Sequence, residues 1–248
     1  MPTQRRVALV TGSATGVGRA CAIRFAQQGF DVVVNYSRSE AEALETVSLV
    51  EAAGATALLV KCDISDDAAV TAMLAQIEAT FGRLDVLVNN AACTFPVEHK
   101  NLEGMTEDKW DRILAVNVKG TFFVTRAATP LLRKSDQASV VTVSSVAGLV
   151  GLGSSIAYCA SKGAVNTMTK SLARVLAPIR VNAVCPGPIE TRWLHSFLSD
   201  EQIAGMVAKY PIPRVATPDD ITDAIYFLAC GTQLTTGQCL TVDGGQTL

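Results

Sequence analysis

Two side chains able to move a proton, Tyr158 and Lys162, stand four residues apart, and the hydroxyl of Ser145 lies upstream of them. On an α-helix, positions i and i+4 share a face, so a helix through this stretch sets a phenol beside an ammonium. The cation favours the phenolate and draws the tyrosine below its reference pKa of about 10. Val140-Val141-Thr142-Val143 predicts a strand that stops at Ser144 and Ser145, and a glycine-rich loop then leads into the helix. Ligands of open α/β sheets bind at such strand ends. The three groups outline a proton-transfer site. Tyr158 alone reads as a core tyrosine on an amphipathic helix; Lys162 in phase and Ser145 at a strand end make it chemical.

The elements that must position these groups follow from hydrophobic pattern. Short apolar runs at 6–11, 31–36, 56–61, 85–89, 138–144, 179–184 and 238–242 predict strands. Helical periodicity occupies 17–28, 39–53, 67–81, 107–133, 156–176 and 218–229. Continuous Val/Ile/Leu runs indicate strands covered on both faces, and alternation with helices indicates βαβ units. The expected fold is α/β, a single-domain Rossmann-type doubly wound parallel sheet of about seven strands with helices on both faces. One domain spans 1–248. Ser39 and Ser65 precede acidic first turns and are expected to cap helices, Gly29, Gly54 and Gly82 to end them, and Thr217-Pro218 to open the last one.

Composition narrows the class. The 248 residues are 49% hydrophobic, with a formal net charge of -2. That charge offers no basic footprint for nucleic acid or anionic lipid. No apolar run approaches the roughly 18 residues that cross a bilayer, and Met1 to Val7 lead straight into a strand without a signal segment. Seven cysteines at 21, 62, 93, 159, 185, 230 and 239 form no CxxC and read as reduced thiols of a cytoplasmic protein. With His99 and His195 the only histidines, no metal-ligand cluster is expected.

The first strand ends in Thr11-Gly12-Ser13-Ala14-Thr15-Gly16-Val17-Gly18 and passes directly into a helix. Glycines there permit a tight turn and close approach to a pyrophosphate, whose charge the helix N-terminus attracts. This turn, with Asn89-Asn90-Ala91, Asn117, Ser145, Tyr158-x-x-x-Lys162 and Pro186-Gly187 in that order, resembles the classical short-chain dehydrogenases/reductases. The resemblance runs from Arg6 to Val242-Asp243-Gly244-Gly245, and is nearest to the bacterial branch containing 3-oxoacyl-carrier-protein reductases and glucose dehydrogenases.

The resemblance implies that Tyr158 is the general acid/base of a carbonyl/alcohol interconversion, that Lys162 lowers its pKa and binds the nicotinamide ribose, and that Ser145 orients the substrate oxygen. It implies that Asn117 holds a water joining the lysine to solvent; by type alone Asn117 is an ordinary polar helix residue. It places cofactor contacts at Gly12, Thr15, Gly16, Val17, Gly18, Tyr36, Ser37, Arg38, Asp63, Ile64, Asn90, Ala91, Tyr158, Lys162, Pro186, Gly187, Ile189 and Thr191. Asp63 reads equally as a capping carboxylate ahead of 66–81. Tyr36-Ser37-Arg38, where NAD enzymes carry an acid, suits a 2′-phosphate, so NADP(H) is preferred and NAD(H) is possible; Arg38 also reads as a solvated loop charge.

Departures from the family pattern are Ala92 for the usual glycine, which would crowd the loop or demand another backbone angle, and Ala14 where NADP-dependent relatives are often basic. Residues 188–213 are expected to form a substrate lid, with Trp193, Leu194, Phe197, Ile203 and Met206 either facing substrate or packing. The loop from Cys93 to His99 is expected to wall the pocket, and Arg133, Lys134 and Arg174 are candidates to meet an acidic carrier. Family members usually assemble through the helices near 107–133 and 156–176, which implies a homotetramer or homodimer. The competing functions are an NAD(H)-linked alcohol or sugar dehydrogenase and a non-catalytic dinucleotide-sensing protein.

Overall fold

Valine-rich segments form the strands, because β-branched side chains pack well on a pleated surface covered from both sides. In the computed structural model, which describes residues 5–248, seven strands build one all-parallel sheet. Met1 to Gln4 of the expected leaderless start lie outside the described residues. The strands are β1 (Arg6–Val10), β2 (Phe30–Tyr36), β3 (Ala57–Lys61), β4 (Val86–Asn89), β5 (Ser139–Val143), β6 (Arg180–Pro186) and β7 (Cys239–Val242), in spatial order 3-2-1-4-5-6-7. The chain therefore reverses direction of growth between β1 and β4, where Val10 registers with Val88. Ligands of such sheets bind outside the carboxyl ends of the strands at that reversal.

The helices are α1 (Gly16–Gln27), α2 (Glu40–Ala52), α3 (Asp67–Phe81), α4 (Glu107–Leu114), α5 (Thr121–Leu132), α6 (Ala147–Val150), α7 (Ile156–Val175), α8 (Arg192–His195), α9 (Asp200–Val207) and α10 (Pro218–Tyr226). Alternate strand residues point to opposite faces. Val7, Leu9, Leu87 and Val140 meet Val70, Met73 and Ile77 of α3 and Leu132 of α5 in one core. Ala8, Val10, Val34 and Val88 meet Phe25 of α1, Val50 of α2 and Ile221 and Ile225 of α10 in the other. Both layers are fully desolvated, as the continuous apolar strands require.

Four local expectations change. The helix expected over 107–133 is interrupted by a π-helical turn, Ala115–Gly120, between α4 and α5. Ser39 makes no capping hydrogen bond. The cap of α3 is Asp66, which accepts from the Ala68 and Ala69 amides at 3.0 and 3.1 Å, while Ser65 turns its hydroxyl to Asp63. Arg133 and Lys134 follow α5 and Arg174 lies in the last turn of α7, both helices ending at the amino edge of the sheet; Lys134 pairs with Glu78 at 2.9 Å. They lie across the fold from the strand carboxyl ends and cannot meet a carrier at the site. Thr217 and Asp220 form the expected N-terminal box of α10 around Pro218.

Candidate active site

The turn after β1 is closed against the loop after β4, and glycine is required for that closure. Gly12 and Gly16 have φ of +62° and +56°, the left-handed region that side chains disfavour. A methyl on Gly12 would come within 2.9 Å of the Ala91 Cα, and one on Gly18 within 2.4 Å of the Gly12 carbonyl oxygen. Thr11 Oγ1 accepts from the Asn90 and Ala91 amides at 3.0 Å each, and Asn90 Nδ2 donates to the Thr11 and Gly12 carbonyls at 2.9 and 3.0 Å. Asn35, absent from the sequence expectations, completes the junction: its Oδ1 accepts from the Gly12 amide at 3.0 Å. Its signal is a lone amide directly after the Val32–Val34 run. At the start of α1, Thr15 makes no side-chain cap and the first turn carries no acid. Those amides are unsatisfied donors facing a cleft of about 1350 Å³, as an anion site needs.

At the far side of that cleft β5 ends in the paired serines, which divide their tasks. Ser144 is buried and donates to Asn166 Oδ1 at 2.6 Å. Ser145 hydrogen-bonds the Tyr158 phenol and accepts from the Ala147 amide at 3.1 Å. Helix α7, capped by Ser155, presents Tyr158 and Lys162 on one face. Lys162 Nζ lies 5.6 Å from the Tyr158 ring centroid and donates to the Val143 carbonyl at 2.8 Å. Burial pushes the tyrosine up to about 12, tempered by the Ser145 bond. Burial also draws Lys162 down to about 8. Burial is thus the larger influence on the tyrosine, and the lysine ammonium beside it is aimed at the strand carbonyl.

Asn117, in the π-turn, is buried, and its side-chain amide is bonded to Cys93 and Ser161. Its Oδ1 accepts from the Cys93 amide at 2.8 Å, and its Nδ2 donates to the Cys93 carbonyl and Ser161 Oγ at 3.0 Å each. It braces the loop after β4 against α7. Asn117 and Gly18 stand behind the cleft wall, whereas all other expected site residues, from Gly12 and Thr15 to Pro186, Gly187, Ile189 and Thr191, line it. Thr191 reaches across: a methyl on Gly16 would lie 3.5 Å from its Cγ2.

At the β2 end Tyr36 is buried and its hydroxyl is hydrogen-bonded by Glu40, with burial the larger influence raising its pKa. Ser37 and Arg38 are exposed on the cleft rim, and Arg38 has no ion pair among the described residues. Asp63 is held by a residue the sequence did not point to: Arg112 donates to Asp63 Oδ2 and Ser65 Oγ at 2.8 Å each. Burial would raise the Asp63 carboxyl, but the Ser65 and Arg112 hydrogen bonds hold it below its ordinary value. The two partners are 49 residues apart, with no spacing signal to join them.

The Cys93–His99 loop does wall the cleft, with the Val97 amide donating to the Ser154 carbonyl at 2.9 Å. Ala92 takes no left-handed angle, since no described non-glycine residue has a positive φ, so its methyl is accepted without backbone strain. Segment 188–213 contains α8 and α9. Ile203 packs inward, whereas Trp193, Leu194, Phe197 and Met206 line the cleft. Trp193 sits edge-on to Tyr158, ring centroids 6.1 Å apart.

A parallel sheet with this strand order, a glycine turn at its reversal point and a Ser–Tyr–Lys group at the next strand end define a dinucleotide-linked oxidoreductase of Rossmann type. A family model described as enoyl-(acyl carrier protein) reductase matches residues 12–247. A Streptomyces violaceoruber protein named as ketoacyl reductase 2 of the granaticin polyketide synthase is 43% identical over 96% of this chain and 95% of its own length. An L-rhamnose 1-dehydrogenase (NAD(P)(+)) of Sphingomonas is 38% identical over 97% and 95%. A short-chain dehydrogenase/reductase of Serratia marcescens, solved as a double mutant, superposes with a TM-score of 0.90 at 31% identity, covering all of both chains. The chain belongs to the short-chain dehydrogenase/reductase family. It is an oxidoreductase of CH–OH and carbonyl groups that uses a nicotinamide dinucleotide. No helix among the described residues is long and apolar enough to cross a membrane.

Proposed function

We propose that the protein is an NADP(H)-dependent carbonyl reductase in which Tyr158 is the general acid. The observation that carries this reading is a phenol hydrogen-bonded to Ser145, beside a buried lysine, at one end of a cleft whose other end holds the unpaired Arg38. The first-turn amides of α1, together with Thr15, Gly16 and Val17, hold the pyrophosphate, and Ser37 and Arg38 hold the 2′-phosphate. Asp63 and Ile64 border the adenine, Asn90 and Ala91 back the nicotinamide side, and Pro186, Gly187, Ile189 and Thr191 close over it. When bound, NADPH supplies a hydride to the carbonyl carbon.

The proton comes from the protein. A tyrosine raised to about 12 stays protonated at neutral pH, so the resting site holds the proton that reduction consumes. Ser145 orients the carbonyl oxygen, and Tyr158 gives its proton to that oxygen as negative charge develops. Lys162, charged below about 8, stabilises the phenolate left behind. Asn117 acts by fixing Cys93 and hence the cleft wall. The 188–213 segment serves as the substrate lid, and residues 1–248 act as one catalytic domain. A second reading, NAD(H) as cofactor, is favoured by Glu40, whose carboxylate meets the Tyr36 hydroxyl near the ribose end of the cleft.

Initial rates with NADPH and NADH over a panel of ketones test both parts. NADPH should give the higher kcat/KM, and Tyr158→Phe should lower turnover by about 10²- to 10⁴-fold while cofactor still binds. Unchanged turnover in the variant would remove Tyr158 from the mechanism. We also place the protein in the cytoplasm, as a homotetramer joined through α5 and α7, where Phe122 (40% exposed) and the small residues Ala160 and Ala164 face outward. Sedimentation velocity reads that assembly directly.

A further inference from the structure

Large apolar side chains surround the place where a ketone must lie to accept the Tyr158 proton. Trp193 stands edge-on to the Tyr158 ring at 6.1 Å with an interplanar angle of 74°, so a carbonyl bound to the phenol lies beside the indole. Leu152 and Trp193 are 70% and 38% exposed at the cleft mouth. Phe95, Leu194, Phe197 and Met206 line the same wall from the loop after β4 and from the lid. Exposed apolar surface gathered in a concave site marks the ligand that covers it.

The charges lining the cleft say what that ligand lacks. Arg112 is engaged by Asp63, Arg192 by Glu42 at 3.2 Å, and Lys162 by the Val143 carbonyl. Glu190 is taken by His195, which also meets Asp200 at 3.3 Å. His99 Nε2 rests on the Gly153 carbonyl at 3.2 Å, and the Thr94 and Ser154 hydroxyls bond each other at 2.7 Å. Among the described residues that line the cleft, the unpaired cation, Arg38, lies at the β2 end, three strands from Ser145. Glu98 remains at the rim and repels anions. A phosphate or carboxylate finds no partner here, and a polyol would exchange water for aromatic walls. Gln246 Oε1 is buried without a hydrogen-bond partner among the described residues, against Gly187.

Resting on the reductase reading above, the geometry points to a bulky, uncharged, ring-bearing ketone as the substrate class, with Trp193 its specificity-determining residue. The ring packs on the indole between Phe95 and Phe197, and the carbonyl reaches Tyr158 and Ser145. An edge-to-face ring contact adds to the apolar burial and selects flat or fused rings over open chains.

Calorimetric titration of the NADP+-saturated protein with β-tetralone, hydroxyacetone and L-rhamnose tests this, alongside NADPH oxidation with the two ketones. β-Tetralone should bind, with kcat/KM about 100-fold above that of hydroxyacetone. Trp193→Ala should weaken β-tetralone binding about tenfold and raise its KM with kcat retained, whereas Trp193→Phe, which keeps an aromatic face, should restore most of it. Hydroxyacetone or L-rhamnose binding as tightly as β-tetralone, or Trp193→Ala leaving β-tetralone affinity unchanged, overturns the substrate class. β-Tetralone binding that responds to Trp193 without any NADPH oxidation supports the class and overturns the reductase reading instead.

Discussion

Replacing Lys162 by methionine should abolish turnover and make the protein more stable. The side chain is 4% exposed and its ammonium has one hydrogen-bond partner, the Val143 carbonyl at 2.8 Å. Burial lowers its pKa from 10.5 to about 8, and at about 1.36 kcal/mol per unit the charged form costs the folded state about 3 kcal/mol. Methionine removes that cost but strands the Val143 carbonyl, a loss of about 1 kcal/mol. The net gain is about 2 kcal/mol at neutral pH. With an unfolding entropy of about 2.1 cal/mol/K per residue, that gain raises Tm by about 4 °C in a chain of 248 residues.

The sign with pH is fixed. Between about 8 and 10.5 the unfolded chain binds this proton and the folded chain does not, so wild-type stability rises with pH across that window. The variant should lose that increment, so its advantage should close within the window and the two melting curves should cross before pH 10.5. Calorimetric scans of both proteins at several pH values and one protein concentration make the comparison. A variant that melts at or below the wild-type temperature at neutral pH, with the same pH slope, refutes the reasoning.

Three further substitutions probe separate parts of the fold. Arg38→Gln should weaken NADPH binding by about tenfold or more, the worth of a charge-assisted contact, and leave NADH affinity unchanged; fluorescence titration of both reads it. Gly18→Ala sets a methyl 2.4 Å from the Gly12 carbonyl oxygen, so the turn must open; dinucleotide affinity should fall sharply, with about 1–3 kcal/mol lost in denaturant unfolding. Asp66→Ala removes the cap of α3 far from the chemistry and should lower stability by about 1 kcal/mol with kcat/KM unchanged.

The five inner strands were readable in the sequence because a strand covered on both faces must be a continuous apolar run, and Val140–Val143 or Val32–Val34 can be little else; the partly exposed edge strands β3 and β7 were readable from their place in the alternation with helices. The Tyr158–Lys162 pair was readable because helical spacing alone places both on one face. Contacts between distant segments were not. Arg112 meets Asp63 only after α4 folds over the end of β3, and no pattern within either segment records it. The π-turn at Ala115–Gly120 carries no proline or side-chain cap to mark it, so 107–133 reads as one helix. Arg133, Lys134 and Arg174 were misplaced because composition shows that a residue is basic but not at which end of the sheet its helix stops. The Ser199–Gln202 capping box of α9 is a local spacing that the sequence does carry.

The tension at Lys162 is enforced by the backbone around it. A methyl on Gly148 would come within 2.5 Å of the Lys162 carbonyl carbon and 2.7 Å of the Gly163 amide, so α6 presses directly on the turn of α7 that carries the lysine. Ser144 Oγ lies 3.3 Å from the Lys162 carbonyl oxygen and holds Asn166 one turn further on. With its main chain clamped on two sides, the lysine side chain runs along the end of β5 to the Val143 carbonyl, out of water and beside Tyr158. The same contacts desolvate both groups, lowering one pKa and raising the other. A polar, hydrated Lys162 would make a more stable protein and a poorer partner for a phenolate, since solvent would screen its charge from the ring. Helix packing at two glycines, rather than the identity of the lysine alone, therefore sets how strongly the ammonium acts on its neighbour.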